Sequence, residues 1–191
     1  MPEGKANKVK FNIKNVHYAL LTETDGTVTW GTPKAIPGAV SISLEASGEI
    51  TPFYADGIVY YQTSSNSGYE GDLEMALIPD DFRMDVLKEE KDNKGVLIEN
   101  ANVETAKFAL LFEFDGDQKS VRHVLYNCTA TRPSLTGETT EATKTPSTET
   151  LSVSAAPLAD GRVKVKTGAD TDEATYNSWY QKVYETAAES A

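Results

Sequence analysis

Apolar and polar residues alternate along much of the chain with a period of two, the mark of strands that bury one face. Residues 39–46 set Val40, Ile42 and Leu44 on one face and Ser41, Ser43 and Glu45 on the other. Residues 107–117 place Phe108, Leu110, Phe112 and Phe114 on a common face, and residues 120–131 read as the return strand. Four Asp-Gly pairs punctuate the alternating segments: Asp25-Gly26, Asp56-Gly57, Asp115-Gly116 and Asp160-Gly161. Asp-Gly supplies the positive φ angles of tight hairpin turns at little steric cost. The first pair predicts a hairpin of residues 16–23 with 27–30. The last predicts a hairpin of residues 151–158 with 162–166, where Pro157 marks an edge or a bulge. Successive hairpins of this kind give an antiparallel sandwich or barrel.

The period changes in two places. Pro79, Asp80 and Asp81 suit a helix start, Lys88 and Lys91 its last turns, and Gly95 its end, with Phe82, Val86 and Leu87 as the buried stripe. Near the C-terminus, Asp170 with Glu173 resembles a capping box, and Tyr176, Trp179, Tyr180, Val183 and Tyr184 repeat at helical spacing. Two stretches do not read as core: residues 48–68, polar but rich in Tyr, and residues 134–150, a Thr/Glu/Pro tract. The first is expected to be a long loop and the second a long loop or arm, and loops of that length in a compact domain are functional or disordered. The expected organisation is a single domain over residues 1–191. It carries an N-terminal arm (1–10), the two loops (48–68 and 134–150) and a C-terminal helix and tail (170–191).

Composition narrows the classes. A chain of 191 residues can bury a substantial core, and its 39% hydrophobic content suits a sheet protein with many turns. No apolar run is long enough to span a bilayer as a helix, so membrane insertion is not expected. The opening residues carry lysines without an apolar core behind them, unlike a secretory signal. The single cysteine, Cys128, forms no internal disulfide and fits a reducing compartment during folding. A net charge of −11 has the wrong sign for holding duplex phosphates, which disfavours DNA binding but suits a surface that DNA passes without sticking.

Little in the chain points to catalysis. The only histidines are His17 and His123, and His123 lies five residues from Cys128, on opposite sides of a strand unless a bulge intervenes. Two histidines and one cysteine make a poor zinc set. Asp115-Gly116-Asp117 offers part of a calcium site but lacks the closing Glu of a twelve-residue loop, and is ordinary turn chemistry. Any two of the 29 acids could pair across a cleft, yet nothing singles out a pair, and no Gly-rich phosphate cradle is present. Tyr60 and Tyr61, and Trp179 with Tyr180, read either as a sugar-stacking surface or as aromatics buried at a subunit interface or in the domain's own core. No catalytic, cofactor or metal residue is assigned.

A set of segments in order is more specific than any one of them: NVHYALLTE (15–23), WGTPKAIPGAVSISLE (30–45), FYADG (53–57), GYEGDLEMALIPDDF (68–82), NKGVLIEN (93–100), FALLFE (108–113) and LYNCTATRPS (125–134). Over residues 9–167 the chain resembles the major tail protein of long-tailed, non-contractile bacteriophages, the subunit of the tail tube. The resemblance implies a mainly β fold, an antiparallel sandwich or barrel-like tail-tube domain with one flanking helix, joined here by the C-terminal helix. It further implies hexameric rings stacked into a hollow tube that guides DNA to the host, with neighbouring sheets forming the lumen wall and a long loop and terminal arms bridging rings. The implied partners are copies of itself and the tape-measure, terminator and distal tail proteins. The implied location is the virion tail, after assembly in the host cytoplasm.

On this reading the candidate contacts between subunits and rings are Lys5, Lys8, Lys10, Tyr54, Tyr60, Tyr61, Tyr69, Trp179 and Tyr180. The acidity would line the lumen, and a basic N-terminal segment (Lys5, Lys8, Lys10, Lys14) could attract an acidic tail (Asp170, Asp172, Glu173, Glu185, Glu189) between rings. The competing reading is a carbohydrate-binding or adhesion β-sandwich module. An enzyme would need a carboxylate pair in a cleft.

Overall fold

The structure, a computed structural model, describes residues 6–137, 139 and 146–186. In chain order it forms β1 (Lys10–Thr24), β2 (Thr27–Trp30), β3 (Lys34–Ala35), β4 (Ala39–Ser47), β5 (Ile50–Ala55), β6 (Ile58–Ser64) and β7 (Gly68–Met75). Next come α1 (Asp80–Asp85), β8 (Glu90–Lys91), β9 (Leu97–Ile98), β10 (Phe108–Gly116), β11 (Val121–Ala130), β12 (Glu149–Ala156), β13 (Lys164–Lys166) and α2 (Glu173–Ser178). Strands take 49% of the described residues and helices 7%, so the protein is mainly β, with a sandwich-like antiparallel sheet and two short helices.

The main sheet runs β2-β1-β10-β11-β12-β7-β4, with β3 on β1 and β13 on β11. It curls until β4 comes back beside β1, without hydrogen-bonding to it. Inside the curl lies one core, built on Tyr18, Leu73, Met75, Phe108, Leu110 and Leu151 and plugged by Phe82, Val86 and Leu87 from the α1 region. Outside it lies a second core, where Ala109, Leu111, Val124 and Tyr126 meet Trp179 and Val183. Strand β10 is therefore buried on both faces, and its alternation sorts residues between two cores rather than between core and water.

Several expectations hold. Asp25 and Gly26 both take positive φ and close the β1–β2 hairpin, as the sequence predicts. Ile42 and Leu44 face the inner core, but a bulge between Ala39 and Ser41 leaves Val40 exposed.

Others need correction. Residues 48–68 are not a loop: β5 and β6 pair as a hairpin across the turn at Asp56-Gly57. Asp115-Gly116 belongs to β10, not to its turn. β12 and β13 do not pair with each other. They line up one after the other along the same edge of β11, at residues 127–130 and 123–125, because the chain breaks out of the ladder at Pro157. α1 ends at Asp85, and Lys88 sits outside it at a φ of 62°; Lys91 is in β8 and Gly95 turns the chain between β8 and β9. The cap of α2 is Asp172, whose carboxylate accepts from the Thr175 N–H at 2.9 Å, rather than Asp170. α2 covers only part of the expected C-terminal helix, residues 170–191, although the chain stays packed on the sheet through Val183. Within 134–150, Glu149 and Thr150 already belong to β12.

Candidate functional site

The β5–β6 hairpin extends the β4–β7 pair beyond the body of the sheet. Its neck is narrow: the Ser67 N–H donates to the Ser47 carbonyl at 2.7 Å, and the Ser65 N–H to the Glu49 carbonyl at 2.9 Å. At the neck only glycine fits at positions 48 and 68, because a Cβ would collide with the carbonyl oxygens of Ser65 and Ala155. At the tip, Asp56 (φ 52°) and Gly57 (φ 75°) make the mirror-image turn that matches strand twist. The hairpin pairs with no other strand.

What the hairpin carries is apolar on both faces. Ile50, Phe53, Tyr54, Ile58, Val59, Tyr60 and Tyr61 are all exposed, Tyr60 at 69%. Residues 48–68 hold two charges, Glu49 and Asp56, and no base. An isolated two-stranded hairpin is marginal in water, and a solvated strand pair would normally keep one polar face. This segment has the composition of a core without a core around it.

The candidate contact residues divide. Tyr54, Tyr60 and Tyr61 lie together on the hairpin, and Tyr69 is half-buried on β7, its ring 4.0 Å from the Lys164 ammonium. Lys8 and Lys10 are exposed, but their segment folds onto its own subunit: the Lys8 N–H donates to Asp117 at 2.7 Å, and Asn7 accepts from Gln118 and Lys119. Lys5 lies outside the described residues. Trp179 is corrected outright. It is 3% exposed, donates toward the His123 carbonyl and stacks on Tyr184, because the outer face of β10 and β11 would otherwise be bare. Tyr180 likewise turns inward, its hydroxyl donating to Glu113 at 3.2 Å and its ring 4.6 Å from that of His17.

Pattern reading missed the polar cluster around Glu113. This carboxylate is 3% exposed and receives Arg122 Nε at 2.9 Å, Asn15 Nδ2 at 2.8 Å and Tyr180. Arg122 also donates to the Tyr176 carbonyl and stacks over the rings of Tyr176 and Tyr180, tying the C-terminal segment to the sheet. Burial, and then the charge of Glu113, push the Tyr180 pKa far up. A second cluster holds α1: Arg83 bridges Glu89 and Glu149, and Glu149 also accepts from the Ile78 N–H at 2.6 Å. Both clusters join elements distant in sequence, so no local spacing announces them.

The expected separation of His123 from Cys128 does not hold. A register shift between Phe108 and Leu110 inserts one extra residue in β11, so Leu125 and Cys128 both face the inner core. The Cys128 thiol is pushed up to about 12 by burial and donates weakly to the Leu125 carbonyl. Burial and the nearby Lys166, Lys164 and Lys10 hold His123 down to about 4. Asp115 pairs with Lys14 and Ser120, and Asp117 with Lys8 and Gln118, so the chain itself occupies their oxygens. Among the described residues no three His, Cys, Asp or Glu side chains gather as a metal site. No helix among them is long and apolar enough to cross a membrane. Compared with known proteins, the chain matches no family model and no curated protein.

Proposed function

We propose that this chain is a structural, self-assembling subunit, the repeating unit of a phage tail tube built of stacked rings through which DNA passes. The observation that carries the reading is the β5–β6 hairpin: seven large apolar side chains exposed on an arm that touches no core of its own. A surface of that kind marks a protein–protein contact. A contact between unlike surfaces that closes by rotation makes a ring, and one that repeats along an axis makes a filament. The charge of −11 suits a conduit that holds no DNA. The proposal carries with it assembly in the host cytoplasm and residence in the virion tail.

The test is direct. Concentrated wild-type protein should form sixfold rings or tubes in negative-stain images. A variant with residues 50–64 replaced by an Asn-Gly turn should fold yet remain monomeric. A wild-type chain that stays monomeric at every concentration ends the proposal.

The exposed tyrosines also favour one other reading, a carbohydrate-binding module. Sugar sites combine a stacking ring with convergent polar groups, and around Tyr54, Tyr60 and Tyr61 the hairpin offers only Asp56 and Glu49 as charged groups. Glycan-array binding by a stable monomer would favour that module over the tube.

A further inference from the structure

Between β4 and β7 on one side and β10, β11 and β13 on the other, the curled sheet leaves an open cleft of about 360 Å³. Ile42, Leu44, Tyr69, Phe112, Phe114 and His123 contribute its walls. At its rim stand Lys10, 4.6 Å from the Phe114 ring centroid, and Lys164, 4.0 Å from that of Tyr69. No acidic residue lines the cleft. Neither lysine joins any ion pair among the described residues. In a chain with 29 acids against 18 bases, this is a local reversal of sign over an apolar floor. It is complementary to something apolar that carries a negative charge.

The hairpin tip has that chemistry. Asp56 sits at its apex between Tyr54 and Ile58, each 64% exposed, and no base lies anywhere in residues 48–68. The six residues of β5 carry the tip roughly 20 Å beyond the neck at about 3.4 Å per residue. The cleft lies at the base of the hairpin, against Leu44 and Tyr69, so an extended hairpin cannot bring its tip into the cleft of its own chain. A second copy can.

We propose that the cleft of one copy receives the hairpin tip of another. Asp56 meets Lys10 and Lys164, while Tyr54 and Ile58 enter the apolar walls. The contact rests on the self-assembly reading and gives it a direction: every chain is a donor at one end and an acceptor at the other, so the contact repeats head to tail. Charge complementarity sets register and partner choice, and burial of the aromatic and aliphatic groups supplies the affinity.

Two variants separate donor from acceptor. Asp56→Asn keeps a residue that tolerates positive φ but removes the tip charge. Lys10→Glu with Lys164→Glu reverses the rim. In sedimentation velocity each variant alone should need a roughly tenfold higher concentration to assemble than wild type. An equimolar mixture should give heterodimers that grow no further, since it contains one good tip and one good cleft. Assembly of either variant at the wild-type concentration, or a mixture without heterodimers, overturns the contact and leaves self-assembly standing. A wild-type chain that never associates overturns both.

Discussion

Phe112 and His123 face each other across β10 and β11 with their rings stacked, centroids 5.1 Å apart and planes within 3°. The stack sets an ionisable ring into the wall of an apolar cleft beside three lysines, which is why its pKa falls to about 4.

The native ring binds its proton less readily than the unfolded one, whose pKa is about 6.5, so the unfolded chain takes up more protons between those values. Stability should therefore be whole above about pH 6.5 and fall as pH drops toward 4, with His123 contributing on the order of 2 kcal/mol to the loss. Urea unfolding across that range should show a shallower decline for His123→Phe than for wild type. Parallel curves would place the histidine in an ordinary solvated environment.

Glu113 gathers Arg122, Asn15 and Tyr180 at a site that is almost dry. Glu113→Ala should cost about 3–5 kcal/mol, because it leaves the Arg122 guanidinium without its partner. It should also loosen the segment from α2 to Val183, since Tyr180 loses its acceptor. Limited proteolysis reads that local effect, with faster cleavage near residues 176–184 than in wild type.

Gly71 lies in the middle of β7, paired with Leu44 on one side and Val153 on the other, at a φ of 152°. A Cβ there would collide with the Ser43 carbonyl oxygen. Gly71→Ala should cost at least about 3 kcal/mol or abolish folding, because both neighbours are backbone in a paired ladder and cannot yield. A thermal unfolding midpoint equal to wild type would contradict the packing of β4 on β7.

Cys128 is fully enclosed and its thiol is raised to about 12. Only a thiolate attacks a disulfide reagent. Native protein at pH 8 should accordingly stay unmodified by a colourimetric thiol reagent for hours, and react in one step when unfolded in urea. Rapid native reaction would place the residue at the surface.

The sequence by itself determined the strand-built class, the β1–β2 turn at Asp25-Gly26 and the shared face of Phe108, Leu110, Phe112 and Phe114. Each of these is written in residues close together, where alternation and turn chemistry act. It also marked residues 48–68 as unlike core, and read them as a loop because both faces are alike and no alternation shows. Tertiary structure decided what local pattern cannot hold. The bulge in β11 swung Cys128 to the face of Leu125, and the Glu113 cluster joined β1, β10, β11 and the chain after α2. Trp179 and Tyr180 were claimed by the outer face of the subunit's own sheet, while the hairpin tyrosines were left uncovered. The physical reason is the same throughout: backbone conformation is set by neighbours in the chain, whereas burial is set by whatever surface the fold brings alongside.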